Sequence, residues 1–389
     1  MSTLYVIPSG NINAKYFHRA NAFVAFLVKM PKCEILEIGP PKRLMDFFPP
    51  ARRMRNPDRI RIVSPFLVNL SVNAPLNTFI FAMMRAFLLS IWAGMLSRLF
   101  MKGPRFGTLM FYHPQFAFVH LFLPRSRCLL LAYDKADAYG EFSGEPLRMA
   151  VRFLDQYATV KADVVLVASD ALHVQAKQQR AKRILKVDNG VYTEHFSNIR
   201  CERDKSLSVY LGNLNKDIWG ADLLLEAVPR IAKDIPDFRL SIVGEGPLRA
   251  RLQSYCAKLR IAERVKFEGF KPHEEIGTIL CKARVGVAPY RRFPGFQFSS
   301  SLKILEYLAA GTPVVVTDVG PFAEWIRVGK LGEVVEPTPE GIASGILAVL
   351  RLEDAEWEEK SARARKMVQG YDWNLLLSRA FLQIDAMCA

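Results

Sequence analysis

Along the chain, short runs of β-branched and aromatic residues alternate with longer stretches whose apolar positions recur every three or four residues. The first run, TLYVIP at 3–8, predicts a strand closed by the turn Pro8-Ser9-Gly10-Asn11. A helical pattern follows over 20–28. Strands are expected at 34–38 and 59–63, on either side of a basic, proline-rich loop at 40–57. Further strands are expected at 108–112, 128–133, 164–168 and 183–187, with helical patterns between them. After a polar, charge-rich stretch at 197–205 the rhythm restarts. Strands are expected at 207–211, 239–243, 265–268, 285–289, 314–317 and 332–335. Helices are expected at 221–234, 248–259, 274–282 and 340–350, with a short apolar segment at 322–327 and a last helical pattern at 372–387. Strands that alternate with helices make parallel sheets covered on both faces. The expected fold is α/β, with two doubly wound Rossmann-like domains facing a central cleft. Residues 1–197 form the first domain, 198–206 a linker and 207–370 the second domain; the helix within 371–389 is expected to dock back on the first. At 389 residues the chain exceeds what one hydrophobic core usually organises.

The most apolar stretch, FIFAMMRAFLLSIWAGMLSRLFMK at 79–102, is not a membrane span. Only 12 residues separate Arg85 from Arg98, whereas a bilayer needs roughly 20. Two readings remain: a helix packed on the sheet, or one lying in a membrane interface with Arg85, Arg98 and Lys102 at headgroup level.

Charge sharpens the second reading. The chain carries a net +15, and residues 1–133 hold 17 Lys/Arg against 4 Asp/Glu, which leaves only +2 for the rest. Such polarity implies an anionic partner for one end of the molecule. No zinc-finger spacing, RNP-like motif or basic heptad region is present, so nucleic acid is not the expected partner. An anionic membrane surface is. The bland alternative is a solubilising surface charge. The six cysteines (Cys33, Cys128, Cys201, Cys256, Cys281 and Cys388) form no Cys-x-x-Cys pair and are expected to be reduced thiols of a cytosolic protein. The N-terminus lacks the basic and long apolar regions of a signal peptide.

Candidate chemistry concentrates in FQFSSSLKILEYLAAGTPVVVTD, residues 296–318. Lys303 and Glu306 are its only charges between Arg292 and Asp318. A helix starting near Ser301 presents free backbone N–H groups, to which Ser299 and Ser300 add hydroxyls; dipole and amides together make a phosphate site. Lys303 adds a full positive charge in the first turn. Glu306 lies on the same face about 4.5 Å further along the axis, suited to accept hydrogen bonds from a vicinal diol. Leu302, Leu305 and Ala309 are expected on the opposite, buried face. A nucleoside diphosphate carries phosphate and ribose at that separation. The alternative is an exposed i,i+3 ion pair worth a few tenths of a kcal/mol.

SLKILEYLAAGTPVVVTDVG (301–320), with VGEGPL (243–248), VKFEGF (265–270), VGVAPY (285–290) and DNGVYTEHF (188–196), closely resembles the retaining glycosyltransferases of family 4, which have the GT-B fold. The resemblance is specific across residues 160–335 and extends to the first 130 only as strand–helix rhythm. It implies that the C-terminal half binds a nucleotide-sugar. Glu306 matches the second glutamate of the family's E-x7-E motif, which holds the ribose hydroxyls; the first would fall at Phe298 and is absent. Lys303 matches the lysine of the S-x-L-K-x-x-E-Y subset, placed for the diphosphate. The Arg/Lys pair that many members carry after G-x-L is missing from Gly212-Asn213-Leu214-Asn215-Lys216, where Lys216 is the available substitute. The Gly269-Phe270-Lys271 turn matches the place where backbone groups read the base.

Glycosyl transfer builds negative charge on the departing diphosphate, so cations and oriented dipoles are needed there. No Asp-x-Asp occurs in the chain, and the expected cation is Lys303 with the helix start; no metal and no cofactor are expected. In the N-terminal half, Asp137 of YDKAD (133–137) resembles the strand-end aspartate that acts as base or orients the acceptor in polysaccharide-building relatives; Asp134 is its rival. His113 in FYHPQ is a further cleft candidate and His120 a weaker one. Gly10 and Asn11 could let backbone approach the diphosphate. The expectation is a transferase moving a sugar from a UDP- or GDP-sugar to a lipid-linked or polysaccharide acceptor, retaining and metal-independent. It would act in polysaccharide or cell-envelope assembly, cytoplasmic and peripheral on the inner membrane face. The alternatives are an inverting GT-B transferase or nucleotide-sugar hydrolase, and a non-catalytic nucleotide-sugar or glycan-binding module.

Overall fold

The structure, a computed structural model, describes residues 3–8, 19–29, 33–38, 60–63, 83–84, 86–91, 107–122, 129–144, 147–197, 199 and 201–388. The chain divides into two compact units: one runs to Asp188 and takes in the chain from Leu377 onward, the other covers Asn189–Leu376.

Among the described residues, the first unit holds seven parallel strands: β1 (Thr3–Pro8), β2 (Cys33–Ile38), β3 (Ile60–Val63), β4 (Gly107–Phe111), β5 (Leu129–Lys135), β6 (Val164–Val167) and β7 (Ile184–Lys186). Their order is β3-β2-β1-β4-β5-β6-β7, with Tyr5 beside Ile35 on one side and Thr108 on the other. In the second unit six parallel strands, β8 (Asp204–Leu211), β9 (Arg239–Val243), β10 (Val265–Gly269), β11 (Ala283–Ala288), β12 (Val314–Thr317) and β13 (Gly332–Val335), follow the order β10-β9-β8-β11-β12-β13. Helices cover both faces of such a sheet, which is why β11 and β12 are buried at every position and read as apolar runs rather than as alternation. Each order reverses between the first and fourth strand of its sheet, β1/β4 and β8/β11. Ligands of doubly wound sheets sit beyond the carboxyl ends of strands at that switch point.

Two local expectations change, and one segment with no expected element type gains one. The segment 322–327 belongs to a helix, Pro321–Gly329, whose Phe322, Ala323 and Ile326 are buried at helical spacing. Strand β8 begins at Asp204, inside the stretch that composition marks as a linker. Cys201 and Cys281 are joined in a disulfide across 80 residues, so the expectation of reduced thiols fails for this pair; only proximity in the fold could have revealed it. Cys256 remains a buried free thiol.

Residues 83–84 and 86–91 are helical, and their apolar side chains divide between two faces. Ala86 and Leu89 are buried, while Met84, Phe87 and Leu88 are 53%, 44% and 46% exposed. Among the described residues, no helix is long and apolar enough to cross a membrane. The last helix, Trp373–Cys388, carries Phe381 against Phe23 and Phe26 of the first unit, at 5.8 and 5.6 Å between ring centres.

Candidate functional site

The site is built around the helix Leu302–Ala309, which follows β11 and points its N-terminus at the switch-point end of the second sheet. Ser301 occupies the N-cap with extended backbone, yet its hydroxyl bonds Tyr290 Oη at 2.7 Å and caps no amide. The first-turn N–H groups therefore lack a side-chain acceptor. Gly311, at φ +69°, stops the helix in a left-handed turn that a side chain would resist. Ile304, Leu305, Tyr307, Leu308 and Ala309 are buried, and Leu302, Lys303 and Glu306 keep a small exposure. Leu302 thus lies beside the lysine instead of opposite it, because the helix packs on both flanks and leaves one narrow open strip.

Tyr307 fixes the strand ends. Its hydroxyl accepts from Leu211 N–H at 2.7 Å and donates to Val287 C=O at 3.1 Å, bridging β8 and β11 just past their last paired residues, Tyr210 and Val287. Gly286 makes room for the ring: a Cβ there would lie 2.5 Å from Tyr307 Cγ. Removing the hydroxyl strands two buried backbone groups, so Tyr307→Phe is expected to cost about 1–3 kcal/mol in denaturant unfolding. An unchanged midpoint would show that water replaces the bridge.

Lys303 is enclosed rather than paired. Its Nζ lies 4.5 Å from the ring centre of Tyr210, 4.9 Å from Tyr290 and 5.7 Å from Trp219. The ammonium is buried and has no hydrogen-bond partner. Three aromatic faces attract a cation but offer no lone pair. Burial pushes the Lys303 pKa down to about 7, against the pull of the Glu306 carboxylate. Gly212, just past β8, closes the approach: at φ +154° it has no Cβ, and one would lie 2.7 Å from Lys303 Nζ. Ser300 Oγ is a second buried polar atom without a partner, held nearby because Asn189 Nδ2 donates to Ser300 C=O at 2.7 Å. A desolvated amine, an unpaired hydroxyl and open helix amides within four residues make a set of donors lacking an acceptor.

Glu306, one turn on, has a partner that the sequence did not indicate. His273 Nε2 lies 3.1 Å from its Oε1, and both side chains are largely buried. The cage residues Tyr210, Trp219 and Tyr290 were also missed as site residues, although Tyr290 ends the VGVAPY motif and Tyr210 lies in the expected strand 207–211.

The remaining candidates are dispersed. Asn213 follows Gly212, and its carbonyl accepts from Tyr210 Oη at 3.4 Å. Lys216 is exposed and precedes the short turn Asp217–Trp219. Lys271 reaches between Glu268 and Glu275 at 4.0 and 3.9 Å and lines a groove of about 580 Å³ against β8–β10 with Arg239, Lys266 and Lys282. Ser299 and Phe298 are half-buried where the turn Pro294–Phe298 leads into the helix. Gly10 and Asn11 lie outside the described residues.

In the first unit, Asp137 is half-buried beyond the end of β5. Its rival Asp134 is removed: it is fully buried and receives Arg19 Nε at 3.0 and 2.9 Å. His113 caps the turn Pro114–Phe116, its Nδ1 accepting from Gln115 N–H at 3.2 Å while its ring packs 4.8 Å from Tyr139. His120 bonds Ala117 C=O and Tyr157 Oη, and burial lowers its pKa.

Residues 205–352 match the family described as Glycosyl transferases group 1. Over 207 residues the chain is 28% identical to the phosphatidyl-myo-inositol mannosyltransferase of Mycobacterium tuberculosis, covering 50% of this chain and 52% of that protein. The chain thus spans about half the length of the curated relative it matches. Sucrose-phosphate synthase from Thermosynechococcus elongatus superposes over 100% of both chains at a TM-score of 0.76 and 17% identity. The HepE protein of Anabaena in complex with UDP superposes over 99% of this chain and 100% of its own at a TM-score of 0.70 and 14% identity. At these identities the likeness establishes the fold, two parallel-sheet α/β domains of the GT-B kind.

Proposed function

We propose that this protein is a glycosyltransferase that takes its sugar from a nucleotide diphosphate-sugar bound in the second unit. One observation carries the reading: a buried, unpartnered lysine at a helix N-terminus beside the switch point, with a carboxylate one turn further along the same face. In this reading the diphosphate takes the open amides of the first turn, Ser300 and Lys303, and the ribose diol takes Glu306. As the glycosidic bond to phosphate breaks, negative charge grows on the departing diphosphate. Lys303 and the helix dipole are already aimed there and need not reorganise, which is how fixed charges lower a barrier. Under this proposal they supply the charge neutralisation, with no metal or cofactor, and transfer proceeds with retention. The place of the missing first glutamate is taken by Phe298, which would offer the sugar an apolar ring in place of a carboxylate.

For the acceptor we propose a lipid-linked or glycan substrate handled by the first unit at an anionic membrane face on the cytoplasmic side. Two observations support this. The mannosyltransferase relative is named for phosphatidyl-myo-inositol, and the first unit exposes Met84, Phe87, Leu88, Leu121, Met149 and Phe153. Phe87 sits against Phe118 and Phe122, and Phe153 against Tyr157, so part of this exposure is one aromatic ridge. Exposed apolar surface of this kind marks interaction sites.

The test is a donor screen. UDP- and GDP-sugars are incubated with the protein and a membrane extract, and release of nucleoside diphosphate is measured. Release with one donor, dependent on extract, supports the transferase; binding with no release under any condition would leave only a binding module. The anomeric configuration of the product checks retention. Sedimentation with anionic liposomes, weakened by salt, is expected, and equal binding to neutral liposomes would remove the membrane part.

A further inference from the structure

We infer that His273 is a positioning residue that presets the Glu306 carboxylate for a ribose diol and so gives the site its preference for ribonucleotides over 2′-deoxyribonucleotides. The inference rests on the reading of Glu306 as the ribose group and extends it to a residue 33 positions away in sequence.

The chemistry of the contact is unambiguous in direction. A carboxylate only accepts, so Nε2 carries the proton and donates to Oε1 across 3.1 Å. Side-chain exposures of 14% for His273 and 16% for Glu306 place the pair away from bulk water, where a hydrogen bond to a charged group is worth more than at the surface. A free glutamate on a helix samples several rotamers, and fixing one on ligand arrival costs side-chain entropy. His273 meets that cost in advance, and the second carboxylate oxygen stays available to the ligand.

The histidine is itself held. It opens the helix His273–Lys282 directly after Pro272, whose φ of −57° sets the chain's entry. Its ring packs edge-on to His195 at 5.5 Å and to Phe196 at 6.4 Å. Gly277 lets the His195 segment come this close: a Cβ there would lie 2.4 Å from Ile199 Cδ1 and 2.8 Å from the His195 carbonyl oxygen. Packing thus fixes the imidazole, the imidazole fixes the carboxylate, and the carboxylate selects the diol. A site whose acceptors are fixed discriminates against a ligand lacking one hydroxyl, since a buried polar group is then left unpaired. A loose carboxylate turns to whichever hydroxyl remains and discriminates less.

The experiment uses calorimetric dissociation constants of the 389-residue chain for UDP, 2′-deoxy-UDP, GDP and 2′-deoxy-GDP. Wild type is expected to favour its ribonucleotide by about tenfold or more over the deoxy form. In His273→Ala that ratio should fall about 3–10-fold, through weaker ribonucleotide binding with the deoxy form nearly unchanged. His273→Gln, whose amide can still donate, should recover part of the ratio. Equal weakening of both nucleotides in His273→Ala would make the histidine merely structural and overturn the inference, as would an unchanged ratio in His273→Ala. Glu306→Gln separates the two layers: if wild type binds a diphosphate but Glu306→Gln keeps the full ratio, the ribose assignment of Glu306 fails. If wild type binds neither diphosphate, the donor-site reading falls and this inference with it.

Discussion

Replacing Lys303 by methionine is expected to lower kcat/KM for the nucleotide-sugar by about 10²–10³-fold, the range seen when one preorganised charge-stabilising group is removed, while the protein melts no lower than wild type. The two halves of the expectation point in opposite directions for one physical reason. In the absence of ligand the amine is buried among Tyr210, Trp219 and Tyr290 with no hydrogen-bond acceptor. Burial without a partner is unfavourable for an ammonium, and ring faces offset only part of that. Methionine fills similar volume, keeps aromatic contacts through its sulfur and has nothing to desolvate. A folding-only role for Lys303 predicts the reverse, with lower stability and activity reduced only in proportion to the folded fraction. Steady-state kinetics beside a thermal melt separates the two. Unchanged turnover would remove Lys303 from the site.

The spacing of Lys303 and Glu306 was legible because three residues on a helix place two side chains on one face whatever the surroundings. The strands were legible for a similar reason: runs such as VVVT and SIVG are too short and too apolar for a surface helix. What surrounds the two charges was not legible. Tyr210, Trp219 and Tyr290 come from the end of β8, the turn after it and the loop just past β11, and only the strand order brings β8 and β11 side by side. Tyr307 falls in helical phase with ordinary core residues, and nothing local announces a hydroxyl that bridges two strands. His273 starts a different helix and meets Glu306 through packing of the two helices on the sheet. Asp134 and Asp137 stand three residues apart at the end of β5, yet only packing reveals that Asp134 is buried against Arg19, 115 residues away. Leu302 was misplaced because a helix buried on both flanks has no single apolar face to read. In each case local periodicity fixes the element, and long-range packing decides which of its side chains carries chemistry.

The same buried amine makes donor binding depend on pH. With the Lys303 pKa at about 7 by burial, a large part of the ligand-free protein holds a neutral amine just above neutrality, whereas the bound diphosphate requires the ammonium. The diphosphate of a nucleotide-sugar is esterified at both ends and does not titrate near neutral pH, so the proton change belongs to the protein. Binding above pH 7 is therefore expected to take up a proton, and affinity should fall about tenfold per pH unit there until the pKa of the bound lysine is reached. The charged side chain acting on Lys303 is Glu306, which raises its pKa and is carried on the same helix; Tyr210 of β8 and Tyr290 just past β11 have their own pKa values raised by burial. Calorimetry of donor binding at pH 8 in two buffers of different ionisation enthalpy counts the proton directly. Wild type should show an uptake that Lys303→Met lacks, and equal proton counts would sink the assignment. Stability follows the linkage in the other direction. The unfolded lysine titrates near its ordinary value of about 10.4, so between pH 7 and that value the unfolded chain binds more protons than the native one. Wild-type stability from this group rises with pH across that window, is level below pH 7 where both states are charged, and the advantage of Lys303→Met shrinks accordingly. Unfolding measured at pH 6.5 and pH 9 for both proteins checks the sign: if the gap between them does not narrow at the higher pH, the lysine is already charged in its aromatic cage.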